Sequence, residues 1–105
     1  MYRVDITTCA EQDLIQAVEY ISAELGNPIA AARLLDDAVK AITALDEMPL
    51  RHPLVADETL ARQGFRFFAV GSYIVFYIVR EEQRTVVIER FLYGRRNWGT
   101  ILNGN

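Results

Sequence analysis

Apolar and polar residues alternate from Tyr2 to Thr7, with Tyr2, Val4 and Ile6 on one face and Arg3, Asp5 and Thr7 on the other. That period of two predicts a half-buried strand. The period then lengthens. Leu14, Val18, Ile21 and Leu25 recur at helical spacing, and Thr8-Cys9-Ala10-Glu11 has the form of a capping box. A helix of roughly 16 residues is therefore expected to start at Thr8. Gly26 stands where a left-handed stop is needed, and Asn27-Pro28 supplies a cap and a first turn for a second helix. Ala31, Leu35, Ala38, Ile42 and Leu45 make its apolar stripe, and Met48-Pro49 ends it. Two amphipathic helices with a tight join predict an antiparallel helical hairpin. Its outer faces are expected to carry Glu11, Asp13, Glu19, Glu24, Asp36 and Asp37.

Residues 49–64 show no period and hold Pro49 and Pro53, so they read as a surface loop. From Gly64 the pattern becomes that of strands. Three runs, at 65–70, 73–79 and 85–92, are separated by Gly71-Ser72 and by the polar stretch Arg80–Arg84. Gly-Ser between two such runs signals a type II′ hairpin. Tyr73–Val79 is apolar on both faces, as a central strand covered on each side would be. Residues 95–102 read as a loop into a short helix. The expected fold is thus a single α+β domain over 1–105: an N-terminal strand, an antiparallel helical hairpin, a three-stranded antiparallel meander and a short C-terminal helix. One core is expected, with Phe65, Phe67, Phe76, Ile88 and Leu92 taking part.

Composition narrows the function. With 105 residues, 51% hydrophobic and 24% charged, the chain has globular proportions. The longest apolar run, Tyr73–Val79, is far short of the roughly 20 residues of a membrane span. No charged start with an apolar stretch follows Met1, so no signal peptide is expected. Cys9 is the single cysteine, which fits a reducing compartment, and a cytoplasmic location is expected. With His52 the single histidine, no metal and no cofactor is expected. There is no Gly-rich phosphate loop and no nucleophile elbow. Asp36-Asp37 and Glu81-Glu82 are neighbours whose side chains diverge or are solvated, not converging acid–base pairs.

The net charge of −3 conceals an asymmetry. Residues 1–50 carry three basic and nine acidic residues, whereas residues 51–105 carry eight and five. All bases but Lys40 are arginine, and nine of the eleven aromatic residues lie from Phe65 onward. Arginine forks onto carboxylates and phosphates and stacks on aromatics. The second half is either a sheet with a solvated rim or a surface for an acidic partner. Arg90, set between Ile88 and Leu92, either pairs with an acid of the hairpin or offers a cation to a ligand. Trp98 is a core plug or an exposed anchor, and His52 a packing residue or a base.

The stretch "GFRFFAVGSYIVFYIV…TVVIERFLYGRRNW…IL", with the connection "EMPLRHPLV", resembles the RelE/ParE superfamily of toxins from type II toxin–antitoxin modules. The order of elements matches that fold along the whole chain. The resemblance implies a plasmid-stabilisation type of toxin that arrests growth and is held inactive by a cognate antitoxin in a hetero-oligomer. RelE-like members cleave mRNA on the ribosome without metal; ParE-like members inhibit DNA gyrase and are not enzymes in that sense. The nuclease pattern is kept only in part. Tyr73 is followed by Ile74 instead of Arg, and Leu102 stands where a Tyr is expected. Arg95 or Arg96 keeps the Arg after the last strand, and the nuclease lysines are missing. "YGRRNW" looks more like ParE. The expected function is gyrase inhibition, with a ribosome-dependent endoribonuclease acting on mRNA as the alternative and a non-toxic protein-binding domain as a third. Target contact is expected at Arg90, Tyr93, Arg95, Arg96 and Trp98, with Gly94 letting the chain bend. The antitoxin is expected near Arg62, Arg66, Arg95 and Arg96, adding a strand to the edge at 65–70.

Overall fold

The computed structural model describes residues 1–103; the last two residues of the expected domain, 104–105, lie outside the described residues. Strand β1 (Arg3–Ile6) leads into helix α1 (Thr8–Glu19), whose last turns widen into a π-helical segment, Tyr20–Glu24. Helix α2 (Pro28–Thr43) returns antiparallel, and a short helix α3 (Glu58–Arg62) precedes β2 (Arg66–Val70), β3 (Tyr73–Arg80) and β4 (Thr85–Tyr93). Helix α4 (Trp98–Leu102) is the last element among the described residues. The sheet order is β1-β4-β3-β2, with β1 parallel to β4 and the other pairs antiparallel. The fold is the expected α+β arrangement.

Several local expectations shift by a residue, each for a physical reason. The cap of α1 is Thr7, not Thr8: its hydroxyl accepts from the Ala10 amide at 3.0 Å and donates to the Glu89 carbonyl at 3.0 Å. That second bond ties the cap to β4. Asn27 caps α2 as expected, accepting from Ala30. The buried stripe of α2 is Ala31, Leu34, Ala38 and Ile42, with Leu34 in the core instead of Leu35, which is exposed. Ile6 is also exposed, while Tyr2 and Val4 pack inward. Residues 49–64 are not all loop. Asp57 caps α3 through the Leu60 amide, and Pro49–Arg51 forms a 3-10 turn entered through Met48 at φ 50°.

The single core divides in two. One cluster lies between the sheet and the helical hairpin and contains Leu14, Leu34, Leu45, Val75, Tyr77, Ile88 and Phe91. The other lies on the opposite face, where Val55, Leu60, Phe65, Phe76 and Leu92 pack with Phe67, Trp98 and Ile101. The expected core residues are all in place, Ile88 on the first face and the aromatics with Leu92 on the second. A strand with Val75 and Tyr77 facing one way and Phe76 the other must be apolar throughout, which is why Tyr73–Val79 shows no alternation.

Candidate partner-binding site at the end of the sheet

The arginines of the C-terminal half split into engaged and free ones. Arg90 is engaged. Its Nε and Nη2 donate to Asp13 Oδ2 and Oδ1 at 2.7 and 2.9 Å, a two-pronged fork. Asp13 Oδ2 also accepts the Phe91 amide at 3.1 Å. β1 pairs with β4 only as far as Ile88, so the β4 edge beyond it lacks a strand neighbour. The Asp13 carboxylate takes that place. The hydrogen bonds and charge of Asp13 raise the Arg90 pKa, so the cation is fixed. Of the two readings of Arg90, the ion pair with a hairpin acid is the one present. Asp13 itself was expected on the outer face, yet its side chain is only 10% exposed. The signal was in the spacing: it lies three residues after Ala10 and four before Ala17, both buried.

Arg66 is engaged as well. Its Nη1 donates to the His52 carbonyl at 2.7 Å and sits 3.5 Å from the Leu50 carbonyl. Arg51 donates through Nη2 to the carbonyls of Ala44 and Glu47, both at 2.6 Å. The buried Tyr77 hydroxyl donates to the Pro49 carbonyl at 2.6 Å. These bonds tie down the irregular chain at 44–52. The β2 edge expected to be open is half covered: Val55 donates to Phe65 and Phe67 donates to Pro53, leaving the far half near Ala69 exposed. His52 stacks on Phe68 with ring centroids 4.5 Å apart, and burial lowers its pKa, aided by the Arg51 charge. It packs as a neutral ring.

Arg62, Arg95 and Arg96 are exposed and make no ion pair among the described residues. Arg95 and Arg96 sit on a turn that closes its own backbone: Gly94 donates to Ser72 at 2.9 Å, Arg96 to Tyr93 at 3.0 Å and Trp98 to Arg96 at 2.8 Å. Gly94 is needed for close approach, not for a sharp bend, because a Cβ there would stand 3.2 Å from the Ser72 carbonyl and its φ is not positive.

Two clefts flank this turn. On the hairpin side a cleft of about 640 Å³ lies between the π-helical segment and the end of β3 and β4. Asp13, Tyr20, Leu25, Tyr73, Tyr93 and Arg96 are among the residues that line it. Tyr73 stacks on Phe91 at 5.1 Å and meets Tyr93 edge-on at 5.6 Å. Burial raises the Tyr73 pKa, so all its chemistry near neutrality is that of a neutral phenol. On the other face a smaller cleft of about 150 Å³ is lined by Ala56, Phe67, Ile74, Phe76, Gly94 and Trp98. Its lining carries no titratable side chain. Trp98 packs on Phe76 at 5.1 Å and is half-buried, so it serves the second core while keeping an accessible edge. Sequence reasoning missed the tyrosine cleft. Tyr20 lies beyond the regular α-helical turns, where widening to a π-helix displaces the helical spacing.

Among the described residues no group of three or more His, Cys, Asp or Glu is placed to hold a metal. No described helix is long and apolar enough to cross a membrane.

Comparison with known proteins gives the family. No curated protein matches the chain. Solved structures do. One, of the chromosomal ParDE TA system from P. aeruginosa, is 18% identical with a TM-score of 0.70, over 89% of this chain and 96% of that one. Another, of the toxin–antitoxin complex RelBE2 from Mycobacterium tuberculosis, is 26% identical with a TM-score of 0.64, over 88% and 96%. The family model described as ParE toxin of type II toxin-antitoxin system, parDE, matches residues 4–98. With that match spanning nearly every element of the fold, the chain belongs to the ParE toxin family of type II toxin–antitoxin systems, within the RelE/ParE superfamily.

Proposed function

We propose that this chain arrests growth by inhibiting DNA gyrase in the cytoplasm, and that a cognate antitoxin, encoded beside it, neutralises it in a hetero-oligomer. The observation that carries the reading is the turn Tyr93–Arg96. It presents two cations free of ion pairs beside a cleft whose lining, from Ala56 to Trp98, offers apolar surface and no acid or base. Protein contact needs such an apolar pocket next to arginine anchors. Phosphodiester cleavage needs proton-transfer groups within hydrogen-bond reach of the reacting atoms; this apolar cleft supplies none, while the phenols of Tyr20, Tyr73 and Tyr93 line the other cleft beside the turn and belong to the second reading. The net charge of −3 is also a poor match to the phosphate field around a ribosome-bound mRNA. The antitoxin partner is supported by the similar structures, which are of the ParDE system and the RelBE2 complex.

A ribosome-dependent endoribonuclease remains the second reading, favoured by the 26% identity to the RelBE2 structure and by the arginine kept after the last strand. The two separate in vitro. Purified chain should block supercoiling by gyrase at stoichiometric ratios and leave mRNA intact in a translating extract. Cleavage of mRNA with normal supercoiling would reverse the assignment. Normal growth on expression without the neighbouring gene, at high soluble yield, would remove the toxic role and leave a binding domain.

A further inference from the structure

We propose that the chain associates with a second copy of itself through the tyrosine cleft, the tip of each helical hairpin lying over the sheet end of the other, and that this pair hides the Tyr93–Arg96 turn. The effect on activity rests on the reading of that turn as the target contact; the association itself does not. The cleft of about 640 Å³ has two unlike rims. The hairpin rim brings Tyr20 and Leu25, which are 52% and 58% exposed. The sheet rim brings Tyr73, Tyr93 and Arg96. Leu25 donates to the Tyr20 carbonyl five residues back, and this widened helix end carries both side chains to the cleft. Large apolar side chains held open to water around one hollow mark a surface that a partner covers.

The charges point to a second copy as that partner. On the hairpin rim, Glu19 precedes Tyr20 and Glu24 precedes Leu25; both acids are exposed and make no ion pair among the described residues. On the sheet rim, Arg95 and Arg96 are exposed and equally free of ion pairs. The acid lining the cleft, Asp13, is already compensated by Arg90 and asks for no further cation. One rim is thus apolar with acids and the other aromatic with bases. They complement each other, yet within one chain their charges do not meet. A two-fold axis brings the acidic tip of one copy to the basic turn of the other and the reverse, so the same match is made twice and the interface closes. The acidic first half and basic second half of the chain favour this orientation over one that sets like ends together. Tyr93 and Arg96 belong both to the cleft and to the turn proposed for the target, so a chain in the pair cannot present them.

Sedimentation velocity on the purified chain tests the association. Wild type should form a dimer whose dissociation constant rises with salt. Tyr20→Ser/Leu25→Ser should weaken it at least about tenfold, whereas Ile15→Ser, exposed on the hairpin outside the cleft, should stay within about twofold of wild type. Charge reversal covers the case of an apolar variant that does not fold. Glu19→Arg/Glu24→Arg and Arg95→Glu/Arg96→Glu should each be monomeric alone and form a one-to-one pair when mixed, because one then has two basic rims and the other two acidic ones. A wild type that stays monomeric at every concentration overturns the proposal, as does a mixture no more associated than its components. So does a dimer that a folded Tyr20→Ser/Leu25→Ser chain keeps intact. Gyrase supercoiling reads the consequence: the monomeric Tyr20→Ser/Leu25→Ser chain should inhibit at a total concentration at least about twofold below that of dimeric wild type. Equal inhibition by the two overturns the hiding of the turn. No inhibition by either overturns the gyrase reading and leaves the dimer standing.

Discussion

The two ends of the sheet use arginine differently. Beside β2, Arg66 and Arg51 donate to main-chain carbonyls of the irregular stretch 44–52. At the end of β4, Arg95 and Arg96 stand on a turn closed by main-chain bonds from Arg96 to Tyr93 and from Trp98 to Arg96, and neither side chain is drawn onto a main-chain carbonyl. The difference shows what consumes a cation. Where the chain leaves carbonyls without backbone donors, an arginine is drawn in to satisfy them, and the partner-binding capacity of that charge is lost. Where main-chain bonds close the turn without the side chains, the charge stays outside. Arg90 is a third case, held by a carboxylate that covers a strand edge.

The largest effect should come from breaking the engaged set. Asp13→Ala leaves Arg90 without its counter-charge and the Phe91 amide without its acceptor. The pair is partly exposed, so a loss of roughly 2–3 kcal/mol is expected in urea unfolding. A loss below about 0.5 kcal/mol would mean the pair is no different from a surface one. Trp98→Ala, which removes the half-buried ring against Phe76, should cost about 2 kcal/mol, below the range of a full core aromatic. Tyr77→Phe keeps the ring and strands the Pro49 carbonyl. It should cost about 1 kcal/mol, read as a lower midpoint with an unchanged slope.

A smaller effect separates His52 from a reactive histidine. Burial and the Arg51 charge hold its pKa below the ordinary value. Between the folded and the unfolded value the unfolded chain binds more protons, so stability rises with pH there. It is lost as the pH falls below about 6.5. The melting temperature of wild type should therefore drop more between about pH 7 and pH 5 than that of His52→Phe. Parallel curves would show that the ring feels no burial.

Most of the fold was legible because the strand and helix periods are undisturbed where the core is regular. Tyr73–Val79, the Asn27 cap and the Gly71-Ser72 turn could each be read from neighbours in sequence. Long-range partners could not. Thr7 caps α1 in place of Thr8 because of a carbonyl on β4, and Asp13 turns inward because β1 stops short. The division into two cores was hidden too, since α3 is a single short turn within an aperiodic stretch. At the site, the arginines and aromatics were the right residue types. Which of them are free depends on carbonyls and carboxylates distant in sequence, 14 residues away for Arg66 and 77 for Arg90.

The smallest effect on stability should accompany the largest on function. Arg95→Ala/Arg96→Ala removes two exposed side chains and should change stability by no more than about 0.5 kcal/mol per site. The most direct measurement is growth on induction of this double variant without the antitoxin gene, beside wild type and Arg66→Ala at equal soluble level. The account predicts that the double variant no longer arrests growth, whereas Arg66→Ala, if it folds, still does. A folded Arg95→Ala/Arg96→Ala chain that arrests growth as fully as wild type would contradict it.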